Sequence, residues 1–431
     1  MSKKWTRRSA LALIGSGAGL LTWGTGGFTD VTADRQVNIN TTPDSLDHPR
    51  LGIKTLGDGG GPGQRVSLIT FQNNLDEEIG VNLNAATVDS DDTTEVADLF
   101  KGEGIDPTNY FDAPDSVGPE EQGMIEATLD LLPDVSIGSD REYDLLLDFT
   151  AGTKNENQTI TLSRKATVTY EDPRVSYWDF EQISGRTVSD IWSGNDASRK
   201  YVGRIGPFRY GYEPDPADGG NRGTVLDFRG DRFRSGDDDV ITTSDTSKLD
   251  FTDDFSLSVW IKPTSIPNSY ARLFSKWDSP RNNRDSDAEK GYQFFLGETD
   301  DKFDNKFEIG IETGQRNGKT TKIKTGATVD KGKWNHAVWT HTSSKESEDR
   351  VYVNGDHEGN GYSGNLPDPY GSNEPLRIGN GIDGNDRLRY PFNGLMDEAK
   401  AYDTALTSEQ VKNLYETSKG GDGGSIGGQV A

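Results

Sequence analysis

What most restricts the fold of this chain is a rhythm of short alternating runs. "RVSLITFQN" (65–73), "GVNLNAA" (80–86), "EYDLLLDF" (142–149) and "NQTITLSRKATVTY" (157–170) place apolar side chains at nearly every second position. That is the period of a strand with one buried face, and it does not fit the longer repeat of a helix stripe. Gly, Pro and Asp clusters such as "GDGGGPGQ" (57–64) punctuate the runs as turns. With "DRQVNINT" (34–41) and "GMIEATLDLL" (123–132), the set predicts an antiparallel β-sandwich over residues 28–170.

"YEDPR" (170–174) ends that unit; residues 171–174 are expected to be a linker, with Pro173 barred from continuing a central strand. A second all-β unit is expected over 175–419. Its strands include "VSYWDFE", "TVLDFRG", "FSLSVWIKP", "ARLFSKW", "YQFFLG", "KFEIGIET", "WNHAVWTHT", "RVYVNG", "PLRIGN" and "GLMDEAKAY". One helix stands out near the end. Thr407 is placed to cap it with Gln410 at the third position, and Val411, Leu414 and Tyr415 form its apolar stripe. The fold class expected is therefore all-β: two antiparallel β-sandwich (jelly-roll) domains with one short C-terminal helix, then a flexible Gly-rich tail over 420–431.

Charge bounds the partners. Asp and Glu number 71 against 46 Lys and Arg, a formal charge of −25. Residues 1–27 hold Lys3, Lys4, Arg7 and Arg8 and no acid, so without them the charge becomes −29. Nucleic acid and anionic membranes are poor partners for such a surface. Eight Trp and clear strand periodicity argue against disorder. A surface kept hydrated in high salt, hence a halophilic source, is the preferred explanation, with divalent cation binding the competing one. The chain has no Cys, which excludes disulfides, thiolate metal sites and Cys nucleophiles.

The N-terminus, "MSKKWTRRSALALIGSGAGLLTWGTGG", has a basic start, the pair Arg7-Arg8 and a Gly-rich apolar stretch. It resembles a twin-arginine export signal over 1–27, which implies an extracellular or cell-surface destination.

In order and spacing, "YWDFE", "VSDIWSGNDA", "LDFRGD", "LDFTDDFSLSVWIKP", "GKWNHAVWTHT", "VYVNG", "LRIGN" and "FNGLMDEAKAYDTALTSEQVKNLYE" resemble the laminin-G-like, concanavalin A-like jelly-roll family. The resemblance implies two packed antiparallel sheets, a structural calcium near the chain ends and use as a glycan- or protein-binding module. By that match Asp397, Asp190, Asp179 and Asn195 would form an oxygen cage for Ca²⁺, tying the last strand to the first. The alternative is that Asp397 caps a turn and Glu398 pairs with a surface Lys or Arg.

"TGGFTDVTADRQVNI" and "SLITFQNNLDEEIGVNL" resemble haloarchaeal surface proteins related to camelysin and the TasA matrix-fibre proteins. That resemblance implies a homopolymer in which a freed N-terminal strand, carrying Val31, Ala33, Val37 and Ile39 on one face, completes a neighbour's sheet. The simpler alternative makes residues 31–41 the first strand of their own sandwich.

No catalytic constellation is visible. Jelly-roll glucanases of the laminarinase type carry E-x-D-x-x-E or E-x-D-x-E on one strand, and neither pattern occurs. Asp397 and Glu398, adjacent on a strand, should leave opposite faces and so cannot flank one glycosidic bond. His336 and His341 are five apart on one strand, again on opposite faces, and "GDDDV" (236–240) reads as a solvated acidic hairpin. For ligand binding, the insertion "RKYVGRIGPFRYGYEPDPADGG" supplies Tyr201, Phe208, Tyr210 and Tyr212, rings suited either to pyranose faces or to packing the insertion on the sheet. Asn40 and Asn157 begin N-x-T sequons for glycosylation. The function expected is that of an exported, non-enzymatic surface or matrix protein that binds a glycan or a surface protein. A filament subunit is the alternative, and a hydrolase with carboxylates on separate strands is a third.

Overall fold

The computed structural model describes residues 51–420, apart from the internal segments 89–95, 103–105, 132–140, 154–158, 201–212, 230–238, 244–246, 268, 278–289, 302–303, 316–318, 344–347, 358–365 and 383–387. The donor-strand residues Val31, Ala33, Val37 and Ile39, the rings Tyr201, Phe208, Tyr210 and Tyr212, and the sequons at Asn40 and Asn157 all lie outside the described residues.

The chain divides into two compact units between Asp172 and Pro173. The last strand of the first unit ends at Tyr170 and the next begins at Arg174. In the first unit, Leu51–Thr55, Arg65–Asn73, Gln122–Thr128 and Phe111–Asp112 pair in that order as one sheet. Gly57–Gly60, Thr159–Tyr170, Arg141–Thr153, Ile79–Val88 and Ser116–Val117 form the other. The alternation seen in the sequence decides which side chains turn inward. Val66, Leu68 and Phe71 from one sheet and Leu145, Leu147, Phe149 and Leu162 from the other are buried, and Phe71 meets Phe149 edge to face at 5.0 Å. Burying each such side chain contributes ~2 kcal/mol. One pairing departs from the antiparallel expectation: Gly57–Gly60 runs parallel to Thr159–Tyr170.

The second unit is built from two antiparallel sheets. In one, Asp215–Asp218, Thr224–Phe228, Asn393–Tyr402, Phe255–Ser265, Asn335–His341, Asp349–Val353 and Asp356–His357 follow in order, and Arg174–Trp178 also pairs with Asn393–Tyr402. In the other, Ile183–Ser184, Thr187–Val188, Ala197–Lys200, Val240–Thr243, Arg377–Ile378, Tyr270–Trp277, Lys290–Glu298, Lys306–Gly314 and Thr320–Asp330 follow in order. Leu257, Val259 and Ile261 from the first sheet, with Phe274, Tyr292, Phe294, Ile309 and Ile311 from the second, fill one continuous core with Trp339. Trp339 stands edge-on to Phe255 at 4.8 Å, which locks the ring pair in a favourable aromatic geometry.

The closing helix is Ser408–Ser418, and its capping box is present as expected: the Thr407 hydroxyl accepts from Gln410 N, and the Gln410 side chain accepts from Thr407 N. Val411 and Leu414 are buried, while Tyr415 stacks on Trp260 at 5.7 Å.

Candidate functional site

The outer face of the nine-stranded sheet carries an unusual group of side chains. Strand alternation sends Tyr292, Phe294 and Leu296 into the core, so Gln293 and Phe295 point the other way. Register then sets their neighbours. Ser275, Gln293, Glu312 and Lys322 lie opposite one another across four successive strands, and Arg272 lies opposite Phe295. Gly310 is Phe295's partner on the next strand; a Cβ there would come within 2.2 Å of the Phe295 ring, so the glycine makes room for it.

A return segment covers part of this face. Arg272 N donates to Tyr390 O at 2.9 Å, and Tyr390 N donates to Asn380 Oδ1 at 3.0 Å, which fixes Tyr390 beside the cluster. The Arg272 guanidinium lies 4.6 Å from the centroids of both Phe295 and Tyr390. Lys322 Nζ sits 3.1 Å from the Tyr270 centroid and 4.6 Å from that of Phe295. The only carboxylate paired with Arg272 among the described residues is Glu312, at 3.8 Å.

The polar accounting does not close. Arg272 Nε and Nη1, Ser275 Oγ and Gln293 Oε1 are buried without a hydrogen-bond partner. Buried polar atoms are paired in most folded proteins, and each one left unpaired costs ~1–3 kcal/mol. Four of them gather on this one sheet face. Burial lowers Arg272 to about 10, still a cation at neutral pH. Burial and the Arg272 charge bring Lys322 down to about 8. Among the described residues the face thus brings together aromatic rings, the Arg272 and Lys322 cations, the Glu312 carboxylate and buried donors and acceptors without a partner.

The sequence pointed instead to the end of the chain, and there the structure corrects it. Asp397 and Glu398 do not leave opposite faces. Ser258 pairs with Lys400 and Trp260 with Asp397, so Glu398 and Ala399 together oppose Val259 in a bulge. Glu398 has a φ of 47°, in the left-handed region. The bulge turns both carboxylates toward one guanidinium: Arg222 Nε donates to Asp397 Oδ2 at 2.9 Å, and Arg222 Nη2 donates to Glu398 Oε1 at 2.8 Å. Arg222 Nη1 donates to Ser418 O, the last carbonyl of the helix, at 3.1 Å, and its guanidinium lies 4.0 Å from the Trp260 centroid. Glu398 therefore pairs with a buried Arg and with buried Lys400, rather than with a surface cation. Burial and the Glu398 charge push Asp397 up to about 8, with Arg222 opposing the rise.

The four residues expected around calcium do not fit it. Asp397 Oδ1 accepts from Glu398 N, and its other oxygen is held by Arg222. Asp190 Oδ1 accepts from Tyr177 N, Trp192 N and Ser193 N, and Oδ2 accepts from Ser193 Oγ and Asn195 N. Asn195 extends that loop, its carbonyl accepting from Trp178 Nε1. Asp179 accepts from Glu181 N, and burial raises its pKa. These carboxylates are committed to loop amides and to a guanidinium. Among the described residues no group of three His, Asp or Glu side chains is arranged for a metal ion. His336 stacks on Trp260, while His341 is held between Asp349 and Asp368.

The family model for the concanavalin A-like lectin/glucanase superfamily, laminin-G type, matches residues 235–412. The C-terminal unit is a concanavalin A-like jelly roll. Solved structures with similar folds include domain 4 of an extracellular arabinanase from Geobacillus stearothermophilus in complex with arabinotriose (19% identity, 56% of this chain, 98% of that one, TM-score 0.36). The binding domain of a paraclostridial mosquitocidal protein (17%, 57% and 52%, TM-score 0.38) is another, and the chain spans about half the length of that structure. A pentraxin from Limulus polyphemus is a third (17%, 46% and 83%, TM-score 0.33). At these scores the ligands of those proteins are not transferred to this jelly roll. No curated protein matches the chain in sequence.

Proposed function

We propose that this is an exported cell-surface or matrix protein of a halophile whose jelly roll binds a glycan, without catalysis, on the outer face of its nine-stranded sheet beside Tyr270, Tyr390 and Lys322. The observation that carries the reading is the cluster of buried, partnerless polar atoms beneath Tyr270, Phe295 and Tyr390. A superfamily that embraces lectins as well as glucanases is compatible with it. Export through a twin-arginine-type route follows from the Arg7-Arg8 segment, and the halophilic source from the charge of −25. A glycan array probed with the protein and with Tyr270→Ala tests the site. Binding to at least one glycan, lost in the variant, is the expected result. An array without any ligand would sink the reading.

A second reading, polymerisation through the N-terminal strand, draws on one sheet edge. Ile79–Val88 is paired by Ser116–Val117 only at Ile79 and Gly80, so the rest of that edge has no strand partner among the described residues. An added strand would satisfy it. Electron microscopy of the mature protein should then show filaments; monomers at high salt and high concentration would refute it.

A further inference from the structure

A strap, residues 366–376, crosses from one sheet of the jelly roll to the other. At its start Leu366 seats its side chain in the core, and Leu366 N donates to Asp349 Oδ2 at 3.0 Å. On the nine-stranded side Tyr370 N donates to Gly314 O at 2.9 Å, and Ser372 N donates to Asp250 Oδ1 at 2.6 Å. Buried Lys276 donates to the carbonyls of Ser372 and Glu374. Between these anchors lies Pro367-Asp368-Pro369. Neither proline has an N–H to give. The Asp368 side chain supplies a hold there instead, its Oδ1 lying 3.3 Å from His341 Nε2.

That contact depends on a proton. Asp349 Oδ1 accepts from Trp339 Nε1 at 2.8 Å and faces His341 Nδ1 at 2.9 Å. An indole and a backbone amide can only donate, so Asp349 is an acceptor and Nδ1 carries a hydrogen. In a neutral imidazole Nε2 would then turn its lone pair toward the Asp368 oxygen, and the two would repel. With a second proton the ring becomes a cation that donates to both carboxylates. The ring is buried and packs on Phe255 at 5.1 Å. The charged groups acting on it are Asp349 from the adjacent strand and Asp368 from the strap; Asp254, just before Phe255, is bound to Ser343 N. Burial opposes a charge on His341, yet the two carboxylates outweigh it and raise its pKa above the ordinary value.

We propose that His341 and Asp368 form a proton-operated latch: the doubly protonated ring pins the middle of the strap, and loss of the Nε2 proton in alkaline medium releases it. Leu366 stays seated in the core, and the stretch around Asp368 and Tyr370 loosens. The sign follows from the raised pKa: the contact holds at and below the ordinary His range and is lost as pH rises through the folded value. This device is independent of the glycan-binding reading.

The test is hydrogen exchange of the peptide spanning 366–371 in the full chain, expressed as protection against the intrinsic rate at each pH. The pH is raised through the His341 titration midpoint, read from its ring resonance by NMR. Protection should fall about tenfold across that midpoint, the loss of one charge-assisted contact, while the strand Asn335–His341 stays protected. Asp368 is 51% exposed, so its variants leave the core intact. In Asp368→Asn the amide can accept from a protonated Nε2 or donate to a bare one, so protection should no longer depend on pH. Asp368→Ala should be poorly protected on both sides of the midpoint, and both variants should lower that midpoint. Level wild-type protection, a fall that Asp368→Asn shares, or full protection in Asp368→Ala would overturn the latch.

Discussion

Replacing Arg222 with Met should be among the most damaging single changes in the jelly roll. Met keeps much of the stem that packs on Trp260 but removes the cation. Three hydrogen bonds vanish, those to Asp397, Glu398 and Ser418 O. The two carboxylates, 2% and 5% exposed, then face each other across the bulge with Lys400 as the remaining cation. Breaking a buried pair by removing one partner typically costs ~3–5 kcal/mol, a large share of a domain's ~5–15 kcal/mol. Urea unfolding followed by Trp fluorescence measures it, since Trp260 reports directly on this region. The cost should also depend on pH. In the variant Asp397 loses the cation that opposes its rise and keeps its proton to still higher pH, so the gap between wild type and Arg222→Met should widen as pH rises through about 8 and above. A loss under ~1 kcal/mol, or a gap indifferent to pH, would refute the account of Arg222 as the counter-charge.

The remaining predictions concern the same unit. His336, pulled down to about 3 by burial and by the Lys400 and Arg222 charges, stays neutral in the fold while the unfolded chain takes up a proton below pH 6.5. The unfolded state then binds more protons, so stability from this group falls as pH drops from 6.5 toward 3, by ~1.4 kcal/mol per unit, and His336→Phe should remove that slope. Asp239 and Asp397, raised to about 7 and about 8 by burial, act in the opposite sense: the fold holds protons that the unfolded chain has released, so their contribution declines as pH rises from 4 to 8. A chelator should leave the unfolding temperature unchanged, because Asp190 and Asp397 are saturated by amides and a guanidinium; a clear drop on chelation would contradict this. Thr407→Ala should cost ~1 kcal/mol through loss of the capping box, read as a shifted denaturation midpoint.

Much of this fold could be read from local pattern. "RVSLITFQN" coincides with the strand Arg65–Asn73, and Thr407 with Gln410 announced the helix start, because period and capping are properties of neighbouring residues. Thr320–Asp330 went unrecognised as a strand. Its inward residues are Ile323, Ala327 and Val329, and an irregularity near Gly326, with φ of 78°, shifts the alternation midway. The bulge at Glu398 was hidden for a related reason: nothing in "GLMDEAKAY" marks where the partner strand skips a residue. Arg222 sits in a short turn, 175 residues before Asp397, and only the folded sheet brings them together. The outer-face cluster around Arg272 is dispersed in the same way. Arg272, Gln293, Glu312 and Lys322 each occupy an ordinary polar position on its own strand, and the register alone lines them up.

The Arg222 clasp also sets how this domain can be cut. The stretch matched by the family model, 235–412, begins after Arg222 and stops before Ser418. It also lacks Arg174–Trp178 and Thr224–Phe228, both partners of the strand Asn393–Tyr402. A protease nicking between Arg222 and the first matched residue would leave the pieces held together by the clasp. A fragment expressed from the matched residues alone would carry the acidic pair with neither its guanidinium nor the helix end, and would expose Trp260 to water. A fragment from the Arg174 strand through Ser418 keeps the clasp and both of those partner strands whole.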